Sequence, residues 1–167
     1  REQLDENCVI VFDMGGYGEA ARRMLAIAVL GQLWRALERR VEAQATHTDD
    51  SEPDLPLVNC YLEEAADLAA TGVLDALLSK GRAFGLAVTL AMQFPEQVRE
   101  SHPRVYRELL NDVGTTITGS VGVDKLLAER LATSDIDADA MAARLRALSR
   151  GEWLVRPAAG FDAPMPQ

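Results

Sequence analysis

Lysine, histidine and cysteine are nearly absent from this chain of 167 residues. Lys80 and Lys125 are its lysines, His47 and His102 its histidines, and Cys8 and Cys60 its cysteines. Two histidines exclude a multi-histidine metal site, and two cysteines, each inside an apolar run, exclude a disulfide framework. Both read as small buried thiols of a reducing compartment. No apolar run approaches the ~18 residues of a membrane span, and the opening REQLDEN is no signal peptide. A soluble intracellular domain is therefore expected. A basic face is missing too: Asp and Glu number 26 against 17 Lys and Arg, for a net charge of −9. Such a surface does not attract nucleic acid by itself, since counterion-release binding needs clustered cations. The arginine- and alanine-rich, lysine-poor composition fits a GC-rich genome and a salt-loving source, where salt screens this repulsion.

What is present is a hydrophobic content of 48%, enough for a real core in one domain. Cys8–Phe12 (CVIVF) reads as a buried strand ending at Asp13 and a glycine cluster. A long helix follows from Glu19, with Leu25, Val29, Leu33, Leu37 and Val41 at i+4 spacing. Thr46–Pro56 is an acidic loop. Leu57–Leu62 (LVNCYL) is a second strand, followed by Glu63, Glu64 and a short helix. Thr71 can cap a helix over Gly72–Arg82, and Gly85 leads into a third strand, Leu86–Met92. Beyond Gln93-Phe94-Pro95, a helical stretch interrupted near Pro103 runs to about Asp112. Thr115–Val121 is a fourth strand. Helices over Val123–Ala132 and Asp137–Arg150 precede a last strand at Glu152–Arg156, with Asp137 as cap and Gly151 as stop.

Alternating strands and helices, with strands apolar on both faces, predict an α/β fold: a mostly parallel sheet with helices on both faces. In such sheets ligands bind beyond the carboxyl ends of the strands. That rule selects Asp13-Met14-Gly15-Gly16, Glu63-Glu64, Gln93 and Gly122 as the candidate site. Two acids directly after an apolar strand suit nucleotide hydrolysis. The first carboxylate holds Mg²⁺ and the second activates water beside the γ-phosphate. A glutamine at the neighbouring strand end can sense that phosphate. The competing explanation is that Glu63 and Glu64 only favour the positive end of the following helix.

Three stretches together, LPLVNCYLEEAADLA, LLSKGRAFGLAVTLAMQFPEQV and LLNDVGTTITGSV, resemble the motor core of the HerA/FtsK superfamily of P-loop ATPases. The nearest resemblance is to HerA and to the TraG/TraD-like coupling ATPases of conjugation and type IV secretion. The shared pattern is an acid pair after a strand (Glu63-Glu64) and Gly-Arg-x-x-Gly at a helix end (Gly81-Arg82-Ala83-Phe84-Gly85). Gln93 with Pro95, and Asn111 before the next strand, complete it. It spans roughly Cys8 to Arg156. The resemblance implies that residues 1–156 are the C-terminal portion of a RecA-like ATPase domain lacking the P-loop strand, with 157–167 a flexible tail. It further implies an ATP-driven DNA or protein–DNA translocation motor that uses ATP and Mg²⁺. Glu63 would be at the metal, Glu64 and Gln93 in catalysis, and Arg82 at the nucleotide of its own or a neighbouring subunit. Implied partners are the protein's own N-terminal P-loop region, DNA threaded through a ring, and further copies in a hexamer. The implied location is the cytoplasm, with any attachment to the inner face of the membrane made by other parts of the parent.

Two features depart from that family. It has Asp then Glu at the acid pair, where this chain has Glu63 then Glu64. No G-x-x-x-x-G-K-[ST] loop occurs anywhere in the sequence. The abrupt start at REQLDENCVIVF suggests a piece of a longer motor. Two other functions compete. One is a non-catalytic interaction module derived from such a motor. The other is a Rossmann-type dinucleotide site at Gly16-Tyr17-Gly18-Glu19-Ala20-Ala21, but the acid that should follow about 20 residues later falls inside the long helix. Asp13 is read as a turn cap, Arg82 as a cation also suited to a helix C-terminus, and Ser101-His102 as no part of a triad. A last expectation concerns the missing strand. In the resembling family it lies between the strands corresponding to Leu86–Met92 and Thr115–Val121, so these two should pair directly or have the slot filled.

Overall fold

The computed structural model describes residues 8–45, 56–93, 95–122 and 124–158. Most of the acidic loop, Phe94, Val123 and the last nine residues of the tail lie outside them. Contacts divide the chain into two compact units, Arg1–Val105 and Tyr106–Gln167.

In the first unit the expected long helix is α1, Glu19–Ala45. It buries Leu37 of the i+4 stripe, and Leu30 beside that stripe, together with Leu68, Leu74, Leu77 and Leu86; Leu33 and Trp34 pack against the same cluster, whereas Leu25 at the start of the stripe is exposed. The Trp34 ring meets Phe84 at a centroid distance of 4.9 Å, tilted by 55°. Its indole N–H donates to Glu38 Oε1 at 2.8 Å, so the polar edge of this half-buried ring is satisfied. Arg40 is buried at 4% exposure and its Nη2 donates to the Pro56 carbonyl.

Two strands, β1 (Val58–Leu62) and β2 (Leu86–Leu90), lie side by side and parallel, with Leu62 opposite Leu90. Between them run a 3₁₀ helix (Ala65–Thr71), α2 (Val73–Lys80) and a second 3₁₀ turn (Gly81–Phe84). A crossover of this kind is what parallel neighbours require. Thr71 helps the switch into α2: its hydroxyl donates to the Leu68 carbonyl and accepts the Val73 N–H. The Gly-Arg-x-x-Gly run has a steric basis. A Cβ on Gly81 would sit 3.2 Å from Leu86 Cδ2, and Gly85 has φ +69°, the left-handed conformation that re-enters the sheet. The Gly85 carbonyl then accepts the Val58 N–H at 2.9 Å. Helix α3, Pro95–Ser101, buries Val98, and Pro103 opens α4, Pro103–Asp112, so the interruption falls where proline predicts it.

The boundary between the units falls inside α4, whose Tyr106, Leu109 and Leu110 are buried in the second unit. There β3 (Thr116–Thr118) pairs with β4 (Leu154–Arg156), and α5 (Lys125–Leu131) packs on α6 (Ala138–Ala147). Asp124 and Asp137 cap these helices, accepting the N–H groups of Leu127 and Ala140. Asp124 also takes the Tyr106 hydroxyl at 2.6 Å, and Arg130 donates to the Leu110 and Val113 carbonyls at the end of α4.

Several expectations need correcting. Cys8–Phe12 is not a buried strand: it has no regular structure, Cys8 is exposed, and Val9 and Val11 are 90% and 79% exposed. A strand exists only through a partner edge, and none of the described strands pairs with this run. Among the described residues the strands form a parallel pair and a separate antiparallel pair, too little sheet to show one mostly parallel layer. Nor are both faces of β1 covered. Val58, Cys60 and Leu62 turn towards the core, whereas Asn59 and Tyr61 are exposed. The apolar content of LVNCYL hid this alternation, because Tyr61 can lie on either kind of surface. β2 and β3 do not pair, and among the described residues the β2 edge away from β1 has no strand on it. What stands is an α/β chain with a small parallel sheet.

The glycines yield a stability prediction. Gly31 lies within α1 with nothing inside 4 Å of an added Cβ, so Gly31→Ala should raise stability by about 0.5–1 kcal/mol. Gly85→Ala should lower it by about 1 kcal/mol, since alanine resists the left-handed conformation. Urea unfolding of the two variants checks this through the opposite signs of their midpoint shifts.

Candidate functional site

The carboxyl ends of β1 and β2 lie side by side because the register is fixed along five residue pairs. The ladder continues past the strands: the Ala91 N–H donates to the Leu62 carbonyl at 2.9 Å, and the Ala65 N–H donates to the Ala91 carbonyl at 3.0 Å. Ala65 is completely buried. The two residues between Leu62 and Ala65, Glu63 and Glu64, are thus held in a tight exposed turn.

Glu64 is the sole non-glycine residue with positive φ among the described residues, at φ 52° and ψ 41°. A left-handed conformation costs an ordinary residue about 1–2 kcal/mol, so glycine or asparagine would serve the turn better. Neighbouring bonds hold it there, with the Asp67 N–H donating to the Glu64 carbonyl at 3.1 Å. Strain of this kind clusters at functional positions, and the inference runs from the observed outlier to the function.

Gln93, from the turn after β2, donates its side-chain amide to Glu64 Oε1 at 2.8 Å. The structure therefore brings together two of the residues selected from sequence, from loops far apart in the chain. Glu63 sits beside them, exposed, and its side chain makes no hydrogen bond or ion pair among the described residues. No three metal-ligating side chains cluster among the described residues. One or two carboxylates suit Mg²⁺ when phosphate oxygens and water complete its shell, and the Glu63-Glu64 pair meets that donor requirement.

Other candidates stand elsewhere. Arg82 is exposed on the 3₁₀ turn before β2 and makes no ion pair among the described residues. Asn111 lies exposed in the last turn of α4, in the second unit. Asp13 accepts the Gly15 N–H at 2.9 Å, the turn cap expected of it. Gly16-Tyr17-Gly18 forms an exposed turn that no strand precedes among the described residues, so the geometry of a dinucleotide site is lacking there. His102 Nδ1 lies 2.9 Å from its neighbour Ser101 Oγ. Burial pushes the Cys60 thiol above its ordinary pKa, which keeps it protonated and unreactive. No helix among the described residues is long and apolar enough to cross a membrane.

Sequence reasoning missed the backbone state of Glu64. Positive φ is legible where glycine or asparagine marks it, and a glutamate carries no such mark. Comparison of the chain with protein-family models, with curated proteins and with solved structures finds no match.

If Glu64 is present for its carboxylate rather than for the turn, the fold should prefer glycine there. Glu64→Gly is expected to be more stable than Glu64→Ala by about 1 kcal/mol, because only alanine keeps the backbone penalty. Thermal melts of the two variants test this, and a glycine variant less stable than the alanine variant would contradict it.

Proposed function

We propose that this chain is the water-activating portion of an ATP-driven translocation motor resembling the HerA/FtsK superfamily, acting on DNA or protein–DNA substrates. The observation that carries the reading is the Glu64–Gln93 hydrogen bond across the ends of two parallel strands. It puts the would-be water activator and phosphate sensor within reach of one small group. The strained backbone at Glu64 supports it independently.

In this reading Glu63 would hold Mg²⁺, whose chemistry there would be neutralisation of phosphate charge. Glu64 orients a water molecule towards the γ-phosphorus and accepts its proton as the bond to the β-phosphate breaks and ADP departs. Gln93 contacts a γ-phosphate oxygen through its amide N–H. Arg82, exposed and without an ion pair among the described residues, is available to the phosphates of its own or a neighbouring copy's nucleotide. The phosphate-cradling loop is absent from these 167 residues, so residues outside this sequence would have to supply it. A glutamate at position 63 reaches one carbon further than aspartate, which suits a metal contact through water. In this reading the parent protein works as a hexameric ring in the cytoplasm.

A second reading, a non-catalytic interaction module, has its own observation: Val9, Ile10, Val11 and Phe12 form a run of exposed apolar side chains. Glu64→Gln in the protein that joins this chain to a phosphate-binding loop separates the two. The variant is expected to bind ATP as the wild type does and to lose at least about 100-fold in turnover, the usual contribution of a general base. Wild-type turnover would refute the catalytic reading, and no turnover in the wild-type protein itself would favour the module.

A further inference from the structure

The antiparallel pair of the second unit is a short piece of sheet. β3 and β4 meet along three residue pairs, and the β4 edge away from β3 has no strand on it among the described residues. One face carries Ile117 and Val155, opposite each other, with Trp153 two residues before Val155. They are 62%, 55% and 65% exposed. Two strands alone are marginal in water, and a third strand is one remedy. Arg156, which alternation turns to the other face, is half-buried, and its Nη1 is buried without a hydrogen-bond partner among the described residues. An orphaned cationic donor of this kind calls for a carboxylate.

The chain itself supplies a fitting strand. Ala158 is held beside the start of β3, its N–H donating to the Thr115 hydroxyl at 3.2 Å, and nine residues, 159–167, follow it. Extended, they span about 30 Å, whereas the return from Ala158 to Trp153 along β4 is about 17 Å. Gly160 stands third after Pro157, where a three-residue hairpin loop needs a left-handed residue. That loop fixes a register. Arg156 falls opposite Asp162, the one acid after Glu152, and Trp153 falls opposite Met165, a thioether against an indole. Phe161 lies on the same face as Val155 and diagonal to it. Pro164 and Pro166 are tolerated on an edge strand. A loop one residue longer or shorter would set Asp162 on the apolar face instead, so one loop length satisfies both faces.

We propose that residues 161–165 form a third strand of this sheet, antiparallel to β4 of the same chain, with Asp162 paired to Arg156 and with Phe161 and Met165 against Val155 and Trp153. The segment expected to be a flexible tail is then a strap on the second unit, and it occupies the edge and the apolar face that a partner protein would otherwise find open. Neither Glu63, Glu64, Gln93 nor Arg82 takes part, so the strap stands or falls independently of the catalytic reading.

Nuclear Overhauser measurements on the 167-residue chain test it. Contacts are expected between the Met165 methyl group and the Trp153 ring, and between Phe161 and Val155. They should vanish in Gly160→Val, because a β-branched residue resists the left-handed conformation of the loop. Asp162→Lys should weaken them several-fold, and combining Asp162→Arg with Arg156→Glu should restore them by exchanging the two charges. Absence of these contacts from the wild-type chain would overturn the strap. Contacts that survive Gly160→Val at full strength, or that Asp162→Lys leaves unchanged, would overturn the register on which it rests. Contacts seen only between differently labelled copies in a mixed sample would overturn it as well, and would assign the apolar face to the tail of a second copy.

Discussion

The parallel pairing of β1 with β2 is the constraint on which the rest depends. Leu62 opposite Leu90 sets where each strand stops, and the Ala91 and Ala65 N–H groups carry the ladder one step past both ends. A slip of one residue would turn Val58, Cys60 and Leu62 out of the core and bring Asn59 and Tyr61 into it. It would also move Gln93 along the sheet relative to Glu64. Core packing and site geometry therefore share one register, with the leucines of α1 and α2 burying the inner face of the sheet whose ends carry the exposed acids.

That arrangement explains why an exposed turn can carry a strained residue. The penalty at Glu64 is local, whereas the bonds that fix it belong to a sheet and a buried alanine. A rigid base with free side chains is a reasonable design for chemistry on a solvent-borne group, because orientation is preset while the carboxylate keeps access to water. The same logic distinguishes Glu64 from Asp13, Asp124 and Asp137. Those aspartates accept backbone N–H groups and close turns or helix ends, so their carboxylates are already committed.

Much of the first unit was legible in the sequence. The i+4 leucines announced α1, the prolines at 95 and 103 marked helix starts, and Gly85 marked the return into β2. The acid pair and Gln93 were legible as strand-end residues because parallel strands carry their polar groups at the carboxyl ends. Other features were not. CVIVF reads as a strand on composition alone, but strand formation depends on an edge elsewhere in the chain, which local pattern does not report. The antiparallel return of β4 onto β3 was not legible either, because three-residue strands leave too short a pattern to show it. Tyr61, apolar by composition, is 73% exposed, so alternation in β1 was concealed.

The central claim is that Glu64 and Gln93 serve one phosphate site at the ends of β1 and β2. It is tested most directly by a crystal structure in the presence of Mg²⁺, ADP and fluoroaluminate, of a longer form of the protein if one supplies a phosphate-binding loop. The account predicts the fluoroaluminate beside these strand ends, with the Gln93 amide donating to a fluorine and Glu64 accepting from the water in line with the aluminium. Fluoroaluminate bound with Gln93 still on Glu64 and both remote from it would contradict the account.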